Sequence, residues 1–228
     1  MKYKKNIQMS DTLFVGAILA CAGGFLDVYT YLLRGKVFAN AQTGNMVLLG
    51  ISMADGNWKG ILYYLLPILS FSVGVLIADI IKDSFKENKT LHWRQIILFI
   101  EGLMLLFTIS IPSSLNWLAN SIISLVCALQ VETFRKFREN PYATTMCTGN
   151  LRSATWHLYS FIKTKEKKSL KNSLQYFVII GFFIFGALIG SYLCTAFSFS
   201  SILFAVLLLF LSALLMCFGN CNFLHSVL

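Results

Sequence analysis

Charge is what this 228-residue sequence has least of: Asp, Glu, Lys and Arg make up 13% of it, about half the share in a soluble domain. With 57% hydrophobic residues and a mean hydropathy of +0.69, too little polar surface remains for a water-soluble body, and lipid must cover much of the chain. Proline is nearly absent, at three residues, so few helices are interrupted. Histidine is equally scarce, and His92, His157 and His225 are scattered, which suits interfacial positions. The six cysteines show no Cys-x-x-Cys spacing and no His at ligand distance, which excludes a zinc site and a disulfide framework. Lys4 and Lys5, followed by an apolar run to Cys21, look like a lipoprotein signal, but the run continues past Cys21 and reads as a retained span. No nucleophile stands beside a base, and there is no metal cluster or glycine-rich phosphate loop. Neither enzyme activity nor a cofactor is expected.

A hydrocarbon core of about 30 Å needs roughly 20 apolar residues per helical crossing. Six windows meet that need, at 12–33, 60–81, 95–111, 116–131, 173–196 and 200–218. They fill residues 1–228 as a single membrane domain and leave no room for a soluble one. The net charge of +9 sits in short loops between the windows, as topology signals do. No basic helix face or polar module would present it to nucleic acid, which is excluded as a partner.

Two shorter apolar segments, 43–54 and 148–162, are ambiguous between full crossings and re-entrant helices. Basic residues concentrate on the cytoplasmic side of bacterial membranes. With Lys2, Lys4 and Lys5 inside and both segments re-entrant, the clusters at 82–94, 135–138 and 163–171 also fall inside. That places fifteen Lys and Arg inside against Arg34, Lys36 and Lys59 outside. If both segments crossed, the division would be nine against nine. The re-entrant reading follows, with both termini cytoplasmic.

A shift of 105 residues places Asp27 on Glu132 and Thr43-Gly44-Asn45 on Thr148-Gly149-Asn150. Further on, Phe71-x-x-Gly74-x-x-Ile77-Ala78 returns as Phe183-x-x-Gly186-x-x-Ile189-Gly190, the extra offset lying in a longer Lys-rich loop. Residues 12–111 and 116–218 are therefore two repeats. Each reads as span, re-entrant helix, span, span. Three crossings is an odd number, so the second repeat is inverted relative to the first, an arrangement many secondary transporters use.

A helix that starts within the bilayer leaves its first N–H groups without backbone partners. Thr43 and Thr148 are the expected caps, Gly44 and Gly149 permit close approach, and Asn45, Asn150 and Asn40 add amide donors and acceptors. Two such N-termini near the midplane would form a slightly positive polar pocket. Asp27 lies about 9 Å inside the first window and is the candidate proton- or cation-coupling group. Glu132 is its candidate counterpart, although Arg135 and Lys136 offer it local partners. Arg152 would bind an anionic group or answer Glu132. Asp79 and Glu101 have no counterparts in the second repeat, which points to local salt bridges.

Gly24-Phe25-Leu26-Asp27, Val37-Phe38-Ala39-Asn40 and Thr43-Gly44-Asn45 in the first half resemble the YoaK family of bacterial membrane proteins. So do Ala128-Leu129-Gln130, Arg135, Thr144-Thr145 and Thr148-Gly149 in the second. The resemblance implies an inner-membrane protein of about six spans and supplies no substrate. Val131-Glu132 departs from the family pattern, in which a small or amide residue follows the Gln, and this weakens the symmetry of the two acids.

The expected fold is thus an all-α integral membrane protein of about six transmembrane helices plus two re-entrant half-helices, arranged as inverted repeats. The expected function is a small secondary transporter, partnered by the lipid bilayer and a small polar or anionic solute or ion. The alternatives are a channel-like pore, or a structural or lipid-interacting membrane protein without transport; a second copy of the chain, in a homo-oligomer, is a further candidate partner.

Overall fold

The computed structural model describes residues 9–85, 92–137 and 140–225. The topology charges Lys2, Lys4, Lys5, Lys86, Lys89 and Arg138 lie outside the described residues. The chain is built of α1 Leu13–Leu33, α2 Gln42–Ala54, α3 Trp58–Phe85, α4 Trp93–Thr108, α5 Asn116–Thr133, α6 Cys147–Thr164, α7 Lys167–Phe197 and α8 Leu203–His225. Between α5 and α6, a two-residue strand β1 Lys136–Phe137 pairs antiparallel with β2 Asn140–Pro141.

Local signals account for the helix ends. The Thr12 hydroxyl accepts from the Val15 N–H and starts α1. His92 starts α4 with a reciprocal cap: its Nδ1 accepts from the Arg94 N–H, and Gln95 Oε1 accepts from the His92 N–H. Burial, and then the Arg94 charge, lower the His92 pKa, which favours the neutral ring this cap requires. A Lys165 backbone in the left-handed region ends α6, and its N–H bonds the Phe161 carbonyl. Ser198, also at positive φ, breaks the long apolar run between α7 and α8.

Among the described residues, four helical stretches are long and apolar enough to cross a bilayer: α1, α3, Ser113–Thr133 containing α5, and Lys167–Cys217 containing α7 and most of α8. The 13-residue α2 is too short for that, and the 18-residue α6 is too polar. Within its most apolar window α1 is 78% buried, whereas α3 is 17% buried. This difference makes α1 the axis of the bundle and leaves α3 a broad apolar face, with Leu62, Leu69, Leu76 and Ile80 exposed.

The most extensive packing joins α1 to α7 and α3 to α5; α2 lies on α3, and α6 on α7. Glycine permits the closest approaches. A Cβ at Gly24 would overlap the Phe183 carbonyl of α7, and one at Gly186 would overlap the Cys21 carbonyl of α1. At the matching α3–α5 contact, a Cβ at Gly74 would lie 2.7 Å from the Leu125 carbonyl oxygen. Backbones this close gain dispersion contacts that bulkier residues would prevent. The main core lies between α1, α4, α5 and α8, around Phe25, Leu98, Val126 and Leu209.

The helix ends differ from the sequence windows in one place with a physical cause. The window 95–111 stops as a helix at Thr108, and Arg34, expected in an outer loop, is fully buried against that end. Its guanidinium donates to the carbonyls of Thr108 at 2.7 Å and Ile111 at 2.8 Å, and sits 4.0 Å from the Phe199 ring centroid. Carbonyls at a helix C-terminus lack partners and carry partial negative charge, so a cation is held there without a carboxylate.

Candidate functional site: a cavity between two helix N-termini

Two extended segments lead into α2 and α6, and both reach α1 at Gly23. The first begins with Gly35 and Lys36 at positive φ, which turn the chain back from α1. Along it, the Asn40 N–H donates to Asp27 Oδ1 at 3.0 Å, and the Asn40 side-chain amide donates to the Gly23 carbonyl at 2.8 Å. The Ala39 carbonyl accepts from Gln42 Nε2 and from the Ser124 hydroxyl of α5. The backbone polar groups of a buried, non-helical segment need such partners, because the surrounding lipid offers none.

The second lead-in follows the β1–β2 pair. Here Gln130 of α5 donates to the Leu19 carbonyl of α1 at 3.2 Å and to the Thr144 hydroxyl at 2.9 Å. Tyr176 of α7 donates to the Pro141 carbonyl at 2.6 Å. Thr144 and Thr145 pack directly on Gly23, where a Cβ would lie 3.0 Å from Thr145 Cγ2 and 3.3 Å from the Thr144 carbonyl oxygen. Gly23 thus receives one lead-in through its carbonyl and the other through its missing side chain.

The motif asparagines share one bond, and Asn150 adds a second by accepting from the Ala143 N–H through Oδ1. Asn45 Nδ2 donates to the Phe38 carbonyl at 2.9 Å, and Asn150 Nδ2 donates to the Ala143 carbonyl at 2.7 Å. Both bonds reach seven residues back, and both pairs are related by the 105-residue shift. Each asparagine clamps its lead-in to the first turn of its helix. Thr43 and Thr148 do not cap, contrary to expectation: the N-cap residues are Ala41 and Met146, neither with a side-chain cap bond. The caps lie two residues earlier than the motif suggests, which moves each threonine into the first turn.

Between the two N-termini lies a cavity of about 880 Å³. Thr43 and Gly44 line it from α2, and Thr148, Gly149, Asn150 and Arg152 from α6. Asp27 of α1 and Asn40 of the first lead-in complete the polar wall, while Phe38 and Phe183 supply apolar surface. Eight of the ten residues singled out in the sequence therefore share one cavity. Asn45 is fully buried behind it as a brace. Glu132 lies elsewhere, paired with Arg135 at 2.9 Å. It does not line the cavity, its ion-pair partner Arg135 lies three residues on, and Gln130 holds the second lead-in instead.

Other polar residues divide in the same way. Asp79 pairs with Lys82 at 2.9 Å, as a local salt bridge should. Glu101 does not: it is fully buried in α4, and neither carboxylate oxygen has a hydrogen-bond partner among the described residues. Arg152 is exposed at the cavity and makes no ion pair among the described residues. Sequence reasoning missed Gln42, Ser124 and Gln130 as parts of the site's frame, although Ser124 and Gln130 carry the signal of a polar residue inside an apolar window.

Arg152 and two helix N-termini give the cavity positive potential, and Asp27 with its bound N–H places one acid at its wall. The wall could coordinate a small polar molecule through hydroxyl, amide and guanidinium groups.

The fold and this cavity define a mainly helical membrane protein in which two polar, non-helical lead-ins meet on α1. The chain belongs to the family described as "Protein of unknown function (DUF1275)", which it matches over residues 15–215. It is 24% identical over 182 residues to UPF0700 transmembrane protein YoaK of Bacillus subtilis (strain 168), an alignment covering 76% of this chain and 80% of that protein. No solved structure matches. The paired motifs that suggested this family in the sequence are the ones that build the cavity.

Proposed function

We propose that this protein is a small secondary transporter of the bacterial plasma membrane that binds a small polar or anionic solute between its two Thr-Gly-Asn helix starts. The observation that carries the reading is the single cavity of about 880 Å³ lined by both motifs together with Asp27 and Arg152. In this reading α1, α3, α4, α5, α7 and α8 cross the bilayer, α2 and α6 are re-entrant, and both termini are cytoplasmic. Exchanging the halves maps the α1–α7 contact onto α5–α3, α2–α3 onto α6–α7, and α4–α5 onto α8–α1, all of which occur. The equivalent Asn45 and Asn150 clamps support the same two-fold relation.

Inverted repeats transport by rocking one half against the other around a central site. Arg152 and the helix N-termini would hold the solute's negative or polar groups. Asp27 would couple: as a carboxylate it makes a charge-assisted bond with the Asn40 N–H, and protonation weakens that bond. Loosening the first lead-in would then alter one wall of the cavity.

Liposomes containing the purified protein test this reading with a panel of radiolabelled small carboxylates and phosphate. Saturable uptake that depends on pH in wild type, and loses that dependence in Asp27→Asn, is the expected result. An Asp27→Asn variant with unchanged pH dependence would remove Asp27 from coupling. Unitary currents in a planar bilayer would replace the transport cycle by a pore, and absence of any solute flux would favour a structural protein.

A further inference from the structure

A second cavity, of about 690 Å³, lies at the opposite end of α6 from its Thr-Gly-Asn start, where α6 turns into α7. Lys165, Lys167 and Lys171 line it together with Leu13, Phe161 and Leu174, and no acidic residue does. The order of these residues along α7 is informative. Lys167, Lys171, Leu174 and Val178 follow one another at helical spacing, so one stripe runs from ammonium groups to aliphatic surface. At 31 residues α7 is about 46 Å long, against about 30 Å of hydrocarbon, so its first turns extend into the headgroup layer. The charged part of the stripe then lies among headgroups and the apolar part among acyl chains.

Two features favour an anion there, although Glu166 lies between Lys165 and Lys167 in the sequence. Lys167 and Lys171 are like charges four residues apart, a mutually destabilising pair unless an anion stands between them and solvent. Lys165 occupies a left-handed backbone conformation that glycine or asparagine would adopt with less strain, and its ammonium lies 5.9 Å from the Phe161 ring centroid, at the mouth of the groove. Basic pockets between membrane helices suit anionic headgroups.

We infer that this groove is a binding site for one anionic phospholipid, its phosphate held by Lys165, Lys167 and Lys171 and one acyl chain lying on Leu13, Phe161 and Leu174. The inference is independent of whether the protein transports anything. Native mass spectrometry of the full-length protein, with added phosphatidylglycerol or phosphatidylcholine of the same chains, tests it directly. Wild type should retain one phosphatidylglycerol in preference to phosphatidylcholine, and inorganic phosphate should not displace it. The triple variant Lys165→Gln/Lys167→Gln/Lys171→Gln should bind about a hundredfold more weakly. The equally neutralised control Lys136→Gln/Lys163→Gln/Lys168→Gln, whose residues are exposed and do not line the groove, should bind as wild type does. Equal retention of the two lipids by wild type, which requires no variant to fold, would overturn the site. So would an unaffected groove variant, or displacement by inorganic phosphate, which would mark a free-phosphate site. A control variant weakened as much as the groove variant would replace the site with diffuse charge attraction.

Discussion

The two lead-ins arrive at the same glycine of α1 by different hydrogen bonds. The first rests on a carboxylate, Asp27, that accepts from the Asn40 N–H, and on Ser124 of the other half. The second rests on Gln130, whose amide spans from the Leu19 carbonyl to Thr144, and on Tyr176. Both helices then begin with the same asparagine clamp. The two lead-ins therefore share the helix start and differ in the anchor. Only the first anchor carries a carboxylate, while the Tyr176 phenol of the second ionises only in alkali, so a device sensitive near neutral pH built on this frame has to sit in the first half.

The comparison breaks most severely at the anchors. Asp27→Ala removes a charged acceptor from a buried N–H and should cost about 2–3 kcal/mol, with faster hydrogen exchange confined to residues 37–42. In Glu132→Gln, by contrast, the lost partner Arg135 is exposed, and the change should cost less than about 1 kcal/mol. Comparable losses for the two, measured by thermal unfolding in detergent, would restore the symmetric pair of acids.

Next come the clamps. Asn150→Ala strands the Ala143 carbonyl and Asn45→Ala strands that of Phe38, so each should cost about 2 kcal/mol. Unequal losses would show that only one half depends on its clamp. Gln130→Leu leaves the Leu19 carbonyl and the Thr144 hydroxyl without their donor and should cost about 1–2 kcal/mol. Exchange in residues 142–146 should rise equally at every pH in that variant, whereas exchange in 37–42 should rise as pH falls and Asp27 takes up a proton. The smallest effect belongs to Thr43→Ala and Thr148→Ala, which remove exposed hydroxyls with no capping bond and should change stability by about 0.5 kcal/mol or less.

Much of this frame was legible before any coordinates. Every apolar window became a helix, and the segments around 43–54 and 148–162 became α2 and α6, because composition and length limit what a bilayer-embedded chain can do. The gathering of both Thr-Gly-Asn motifs at one cavity was legible from the repeat. The division of labour within the motif was not. Threonine is the better cap by residue type, but the cap position depends on where backbone dihedrals turn helical, which lies two residues earlier and leaves the clamp to asparagine. Glu132 failed as a counterpart because a repeat aligns positions and not partners, and Arg135 was nearer. Arg34 shows the limit of charge counting. An arginine at the end of a window looks like an outer-loop charge unless one knows that the end of α4 packs against it and presents carbonyls.

The central claim, that the two helix starts form one solute site, is tested most directly by thermal unfolding of the purified protein with a panel of small carboxylates and phosphate esters. A solute at a hundredfold excess over its Kd should stabilise wild type by about 2.7 kcal/mol. Thr43→Ala and Thr148→Ala should each abolish that gain while leaving the solute-free transition in place. Stabilisation that survives either substitution, or that no member of the panel produces, would contradict a site shared by the two motifs.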